Sequence, residues 1–167
     1  MTIVYLGVGA NVGDRRGNID SAQFYLEKKG IVVKRTSPLY ETEAVSLSPS
    51  SEKMPPFMNG VFEVETELQP EELLRATEEI ERALGREHKG DWKPRPIDLD
   101  ILLYNERVVN TGRLQIPHPE MAKRWFVLKP LSDLIPDFVH PHFKISVKEM
   151  LLLPTSSRNV SLEDRKK

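Results

Sequence analysis

Strand-like and helix-like patterns succeed one another in the order β-α-β-β-α-β, which predicts an α+β protein: a ferredoxin-like sandwich whose mainly antiparallel sheet carries helices packed on one face. Three observations support this expectation. Extended or alternating runs fall at residues 3–8, 31–40, 57–67 and 97–104. Two stretches with apolar side chains at helical spacing, 18–28 and 70–84, lie between them. No repeat or linker interrupts the chain, so residues 1–153 are expected to form one domain and 154–167 a polar, frayed tail.

The first strand is rich in β-formers (Ile3, Val4, Tyr5, Leu6, Val8) and runs into Gly7, Gly9 and Gly13 around Asn11, as a strand entering a tight loop does. Ile19, Ala22, Tyr25 and Leu26 follow helical spacing until Gly30 ends the helix. Residues 31–40 read as a second strand, with Pro38 near its end. Residues 43–56 hold three prolines and four serines without a period, and long loops of this kind in compact domains are usually functional or mobile. Glu63, Glu65 and Glu67 alternate along the third strand and give it a wet face. Pro70 opens a helix that carries Leu73, Leu74, Thr77, Ile80, Glu81 and Leu84, and Gly85 closes it. After the fourth strand, a turn at Asn105 and Glu106 leads into Val108 and Val109 as a hairpin. Residues 117–136 and 146–153 read as short helical segments.

Composition narrows the function. The chain is 39% hydrophobic and 29% charged, as ordinary globular proteins are. Its 24 basic and 25 acidic residues leave a net charge of -1, so no global field points to nucleic acid or an anionic membrane. The absence of cysteine excludes disulfides, thiolate chemistry and zinc-thiolate sites. The N-terminal apolar run lacks a basic leader segment, and no stretch approaches the roughly 20 apolar residues that span a bilayer. A cytoplasmic protein acting on small molecules, without nucleic acid or membrane, is expected.

The chemistry concentrates in DWKPRPIDLDILLY, where Asp98 and Asp100 sit among Ile97, Leu99, Ile101, Leu102 and Leu103. On a strand these two carboxylates share a face while Leu99 and Ile101 take the other. Two nearby carboxylates repel, and a divalent cation neutralises both; with phosphate oxygens and water they describe a Mg²⁺ site shared with a nucleotide. An isolated D-x-D is most often a pair of solvent-facing acids. Here, however, Arg86, His88, Lys89, Lys93 and Arg95 precede the pair and Arg113, His118, Lys123 and Arg124 follow it. Cations flanking a metal-binding pair are what phosphoryl transfer requires.

The run RPIDLDILL resembles the signature of the 6-hydroxymethyl-7,8-dihydropterin pyrophosphokinase family of folate synthesis. The resemblance extends from YLGVGANVGDR to about Pro141 and includes FMNG, PEELL, WKPRPIDLD and RLQIPHP. It implies transfer of the terminal pyrophosphate of the co-substrate ATP to the pterin hydroxymethyl oxygen, with release of AMP. Asp98 and Asp100 would hold two Mg²⁺ ions. Arg86 and Arg95 would grip the phosphates, with Arg95 and Trp92 on a loop that closes over ATP. Arg113, His118 and Arg124 would contact the phosphates or the ribose side, and Glu78, Glu81 and Ile101 would line the nucleotide site. Phe57 and Phe126 would stack on the two faces of the pterin, a gain of about 1 kcal/mol each beyond burial. Asn59 matches the amide-like edge of the heterocycle, and Thr42 and Val45 would contact that edge. The resemblance also implies a monomer acting on two small molecules.

Several positions depart from the family pattern. Phe57 stands for a tyrosine, Glu43-Ala44 for a diproline, Glu78 for a glutamine, His88 for an arginine, Gln115 for a threonine and Pro119 for a tyrosine. The 86–96 loop is one residue shorter. The metal pair and the two central arginines are retained. Two rivals remain at this stage: a ferredoxin-like RNA- or nucleotide-binding module, disfavoured by near-neutral charge and 7% aromatic content, and a Mg²⁺-dependent phosphohydrolase.

Overall fold

The computed structural model describes residues 1–43, 55–85 and 96–153. In chain order the elements are β1 (Thr2–Ala10), α1 (Arg15–Lys28), β2 (Val32–Thr36), β3 (Tyr40–Thr42), β4 (Phe57–Thr66) and α2 (Pro70–Ala83). They continue with β5 (Asp98–Tyr104), β6 (Val109–Asn110), β7 (Gln115–Ile116), a 3-10 turn (Met121–Lys123), α3 (Trp125–Leu134) and α4 (Val147–Leu152). The main sheet runs β2-β4-β1-β5, with β3 also paired to β4. Its pairings are all antiparallel, so the topology is that of the expected α+β sandwich.

One face of the sheet meets α1 and α2 through Val4, Leu6, Val8, Phe62, Val64, Leu99 and Ile101. Leu26 and Leu73 are fully buried there, and each such leucine contributes about 1.5–3 kcal/mol. The second face differs from expectation. It is also covered, because Tyr5, Val61, Leu102 and Leu103 point opposite to that first set and need an apolar partner. Val127, Leu128 and Leu131 of α3 with Val147 and Met150 of α4 supply it. The helices therefore lie on both faces, not one.

Other differences are local. The stretch read as one strand from 31 to 40 is two, because Pro38 has no N–H for the ladder. Ser37 replaces the lost bonding: its N–H donates to Val61 O at 2.9 Å and its Oγ accepts the Val61 N–H at 2.8 Å. The first helix starts earlier than its apolar spacing, at Arg15, where Asp14 caps it by accepting the Gly17 N–H at 3.0 Å. β6 pairs with β7 rather than folding back on β5 as a hairpin. Gly30 and Gly85 end their helices at φ of 79° and 104°, as expected of glycine there. The long loop assigned to 43–56 lies outside the described residues over 44–54.

Within β5 the register slips by one residue. Leu6 pairs with Ile101 but Tyr5 pairs with Leu103, leaving Leu102 as the extra residue of a β-bulge. Asp98 and Asp100 precede the bulge; both are half-buried, and Leu99 between them is 1% exposed.

Candidate active site

The site lies on the α3 side of the sheet and can be built from strand register. Asn59 of β4 pairs with Gly9 of β1, which pairs with Asp98 of β5; two rows on, Val61, Gly7 and Asp100 line up in the same way. Directly paired residues share a face. Asn59 and the carboxylate pair therefore project to the same side, two strand spacings or roughly 10 Å apart. Between them stand only glycines. A methyl at Gly9 would lie 2.8 Å from Asn59 Oδ1 and 3.8 Å from the Phe57 ring. The missing side chain makes room for the Asn59 carbonyl oxygen, which lies over Gly9 on the same face as the carboxylates.

On the far side of Gly9, Asn59 is 8% and Thr42 1% exposed, and Asn59 Nδ2 donates to Thr42 Oγ1 at 2.8 Å. That bond ties the amide to the neighbouring strand. Phe57 pairs with Thr42 and is half-buried on the same face. Phe126, in the first turn of α3, packs against the second core cluster, and the Arg124 guanidinium lies 5.8 Å from its ring centroid.

On the carboxylate side, His118 is tied to the bulge: its backbone N–H donates to Leu102 O at 3.0 Å. Its Nδ1 accepts the Glu120 N–H at 3.1 Å, which leaves Nε2 as the protonated nitrogen of the neutral ring. Burial, above all, pulls its pKa below the ordinary 6.5; Asp100 pushes upward and Arg124 downward. His118 thus sits within electrostatic reach of Asp98, Asp100 and Arg124 together.

Beside the edge of β5 opens a cleft of about 270 Å³ lined by Leu74, Leu99, Ile101, Leu114, Arg113 and His118, among others. Arg113 Nη2 at its rim pairs with Glu78 Oε1 at 3.0 Å. Glu81 takes a different position from a rim acid: it is 2% exposed and Oε2 accepts the Leu99 N–H at 2.8 Å, holding α2 against β5. Because the Leu99 N–H faces away from β1, strand alternation turns the N–H and C=O of Ile101 to the same outer edge. A flat base in the cleft would meet those groups.

The structure brings Thr42, Phe57, Asn59, Asp98, Asp100, His118, Arg124 and Phe126 to one face, and Glu78, Ile101 and Arg113 to the adjoining edge. Val45, Arg86, Trp92 and Arg95 lie outside the described residues, as do His88, Lys89 and Lys93. Sequence reasoning missed Gly9 as the room for the Asn59 amide, Leu102 as the bulge that seats His118, and Tyr40 beneath α3. Only Gly9 left a signal, as a glycine inside a β-rich run.

The donor set fits magnesium. The two carboxylates offer hard oxygens only, and no group of three His, Cys, Asp or Glu side chains gathers among the described residues. The remaining positions of an octahedron would fall to water and phosphate oxygens, as Mg²⁺ prefers.

Comparison with known proteins places the chain. A family profile described as 7,8-dihydro-6-hydroxymethylpterin-pyrophosphokinase matches residues 5–136. The 2-amino-4-hydroxy-6-hydroxymethyldihydropteridine pyrophosphokinase of Aquifex aeolicus is 39% identical over 149 residues, 89% of this chain and 90% of the relative. The folic acid synthesis protein fol1 of Schizosaccharomyces pombe is 43% identical over 150 residues, but the chain spans only 20% of its length. In the wild-type HPPK-DHPS crystal structure from Plasmodium falciparum, the fold recurs at a TM-score of 0.70 and 17% identity, covering 90% of this chain and 44% of that one. With the profile match running from within β1 through both aspartates to α3, the chain belongs to the 7,8-dihydro-6-hydroxymethylpterin-pyrophosphokinase family.

Proposed function

We propose that the protein transfers the terminal pyrophosphoryl group of ATP to the hydroxymethyl oxygen of 6-hydroxymethyl-7,8-dihydropterin, forming the pterin diphosphate and AMP in folate biosynthesis. The hydroxymethyl oxygen forms a bond to the β-phosphorus and loses its proton to water, the bond from that phosphorus to the α-β bridging oxygen breaks, and AMP leaves with that oxygen. The observation that carries the reading is the transverse row Asn59–Gly9–Asp98, which sets a buried amide and a carboxylate pair on one face of the sheet.

In this reading Asn59, oriented by Thr42, pairs with the polar edge of the pterin, and Phe57 and Phe126 stack on its faces. Val45 completes that edge. The cleft beside β5 takes the adenine, with Ile101 offering one backbone donor and one acceptor and Glu78 standing at the rim. Arg113, His118 and Arg124 hold the phosphate chain, His118 donating from Nε2. Arg86 and Arg95 grip the transferred group, and Trp92 anchors the loop that covers it. Asp98 and Asp100 would hold two Mg²⁺ ions. Bound there, magnesium neutralises phosphate charge and draws the phosphate tail toward the carboxylates. Glu81 acts through Leu99 by fixing β5. No side chain is assigned as general base: the residues act by holding the alcohol in line with a charge-neutralised phosphorus.

Among the described residues no helix is long and apolar enough to cross a membrane. The near-neutral charge supports a protein of the cytoplasm without nucleic acid or membrane partners, and we take it to act as a monomer.

The test is AMP formation from ATP and Mg²⁺ with and without the pterin. AMP that appears only with pterin supports the reading; AMP released equally without it would make the protein a hydrolase. Asp98→Ala and Asp100→Ala are each expected to lower turnover by about a thousandfold or more. Wild-type turnover in either variant would refute the metal assignment.

A further inference from the structure

Tyr40 of β3 lies beneath the site, against α3. It is 4% exposed, and its ring meets Trp125 edge-on, with centroids 5.7 Å apart at 85°. Its hydroxyl donates to Oδ2 of Asp133, and the other oxygen, Oδ1, accepts from Lys129 Nζ at 3.2 Å. A buried phenol needs such a partner, and a hydrogen bond to a carboxylate is stronger than one to a neutral group. Trp125 opens α3 and Asp133 lies eight residues on, roughly 12 Å along the helix axis. One side chain from β3 thus fastens the helix at two levels.

What lies on either side of this fastening gives it meaning. Tyr40 pairs in register with Asn59, and Thr42, two residues on, shares its face and holds the Asn59 amide. Trp125 is flanked in sequence by Arg124 and Phe126. Tyr40 therefore bears at once on the strand that presents the polar edge-binding groups and on the turn of helix that presents the upper ring.

We infer that Tyr40, held by Asp133 and Trp125, is a positioning residue that sets the gap between Phe126 on α3 and the Asn59–Thr42 pair on the sheet, and thereby the affinity for a flat heterocycle. The inference rests on the reading of that gap as the pterin site. A clamp of this kind acts mainly on pterin binding, because the adenine cleft is bounded by α2, β5 and the β6–β7 hairpin, none of which Tyr40 fastens, and of the phosphate-holding side chains only Arg124 adjoins the clamped turn. Tyr5 provides an internal comparison. It too is a buried tyrosine on a carboxylate, donating to Glu63 Oε2 at 2.7 Å, but its pairing with Glu63 lies four rows along the sheet from Asn59.

The experiment uses the full chain, with AMP formation measured at saturating Mg²⁺ and each substrate varied in turn. Tyr40→Phe, which keeps the ring on Trp125, is expected to raise the pterin KM by about fivefold or more while the ATP KM stays within about twofold. Asp133→Ala is expected to share that rise, and Asp133→Asn, which still offers an acceptor, to stay within about twofold of wild type. Tyr5→Phe is expected to lower the melting midpoint without a selective change in either KM. The clamp is overturned if Tyr40→Phe leaves both KM values unchanged or raises them in parallel, or if Tyr5→Phe produces the same selective rise. A wild-type protein that makes no pterin-dependent AMP would instead bring down the proposed function.

Discussion

An alanine methyl at Gly9 would come within 2.8 Å of Asn59 Oδ1, closer than real side chains approach an oxygen. The amide would have to turn away from Thr42 or the strand would have to shift. Either outcome removes the hydrogen bond that holds the Asn59 amide in place. Gly9→Ala is therefore expected to weaken pterin binding by about tenfold or more, read by equilibrium titration without nucleotide. Unchanged affinity would mean that Asn59 does not face the heterocycle. At this scale the carboxylates were legible in the sequence, since two acids in an apolar run declare a shared face by spacing alone. Gly9 was only half legible. Its glycine was visible, but its role depends on pairing with a residue fifty positions away, which no local pattern encodes.

Between elements, the tie that matters most to the site is Glu81 of α2 on β5. A buried N–H that loses its acceptor costs about 1–3 kcal/mol. Glu81→Ala strips the Leu99 N–H of its partner at the edge that bounds the cleft, so the melting midpoint is expected to fall by roughly 3–10 °C in a domain of this size. A calorimetric scan showing no shift would mean that water replaces the carboxylate without loss. The element order and the start of α2 at Pro70 were legible because each rests on local periodicity or on proline chemistry. The break between β2 and β3 was not, because whether a strand survives Pro38 depends on Ser37 finding Val61 across the sheet. Nor was the two-sided covering of the sheet, since short, Pro-containing helices such as α3 give a weak periodic signal and declare no target face.

For the molecule as a whole, one buried and one half-buried imidazole bear on the acid side of stability. His140 is 3% exposed, and its Nδ1 accepts the N–H groups of His142 and Phe143, each at 3.1 Å. Burial, with His142 nearby, pulls its pKa from 6.5 down to about 4. The unfolded chain therefore takes up this proton first. The stability of the neutral form is complete above about pH 6.5 and is lost as pH falls toward 4, an effect on the order of 2 kcal/mol. His118 is shifted in the same direction. Paired carboxylates such as Glu63, whose pKa lies below 4.5, come into play only at lower pH. The melting midpoint is thus expected to fall between pH 7 and 4.5, and His140→Asn, which keeps an acceptor but cannot titrate, to flatten that fall without abolishing it. An equal slope in the variant would assign the loss to His118 or elsewhere.

The irregularity at Leu102 separates two properties of β5. The sidedness of the acidic pair is decided ahead of it, whereas the reach of the imidazole is decided at it, since the displaced carbonyl is what anchors His118. Shortening the strand by that one residue would leave the acids facing the same way while the ring drifted out of register with them. If the proposed roles hold, cation capture and grip on the triphosphate are therefore under separate genetic control along seven residues of chain, free to diverge one without the other.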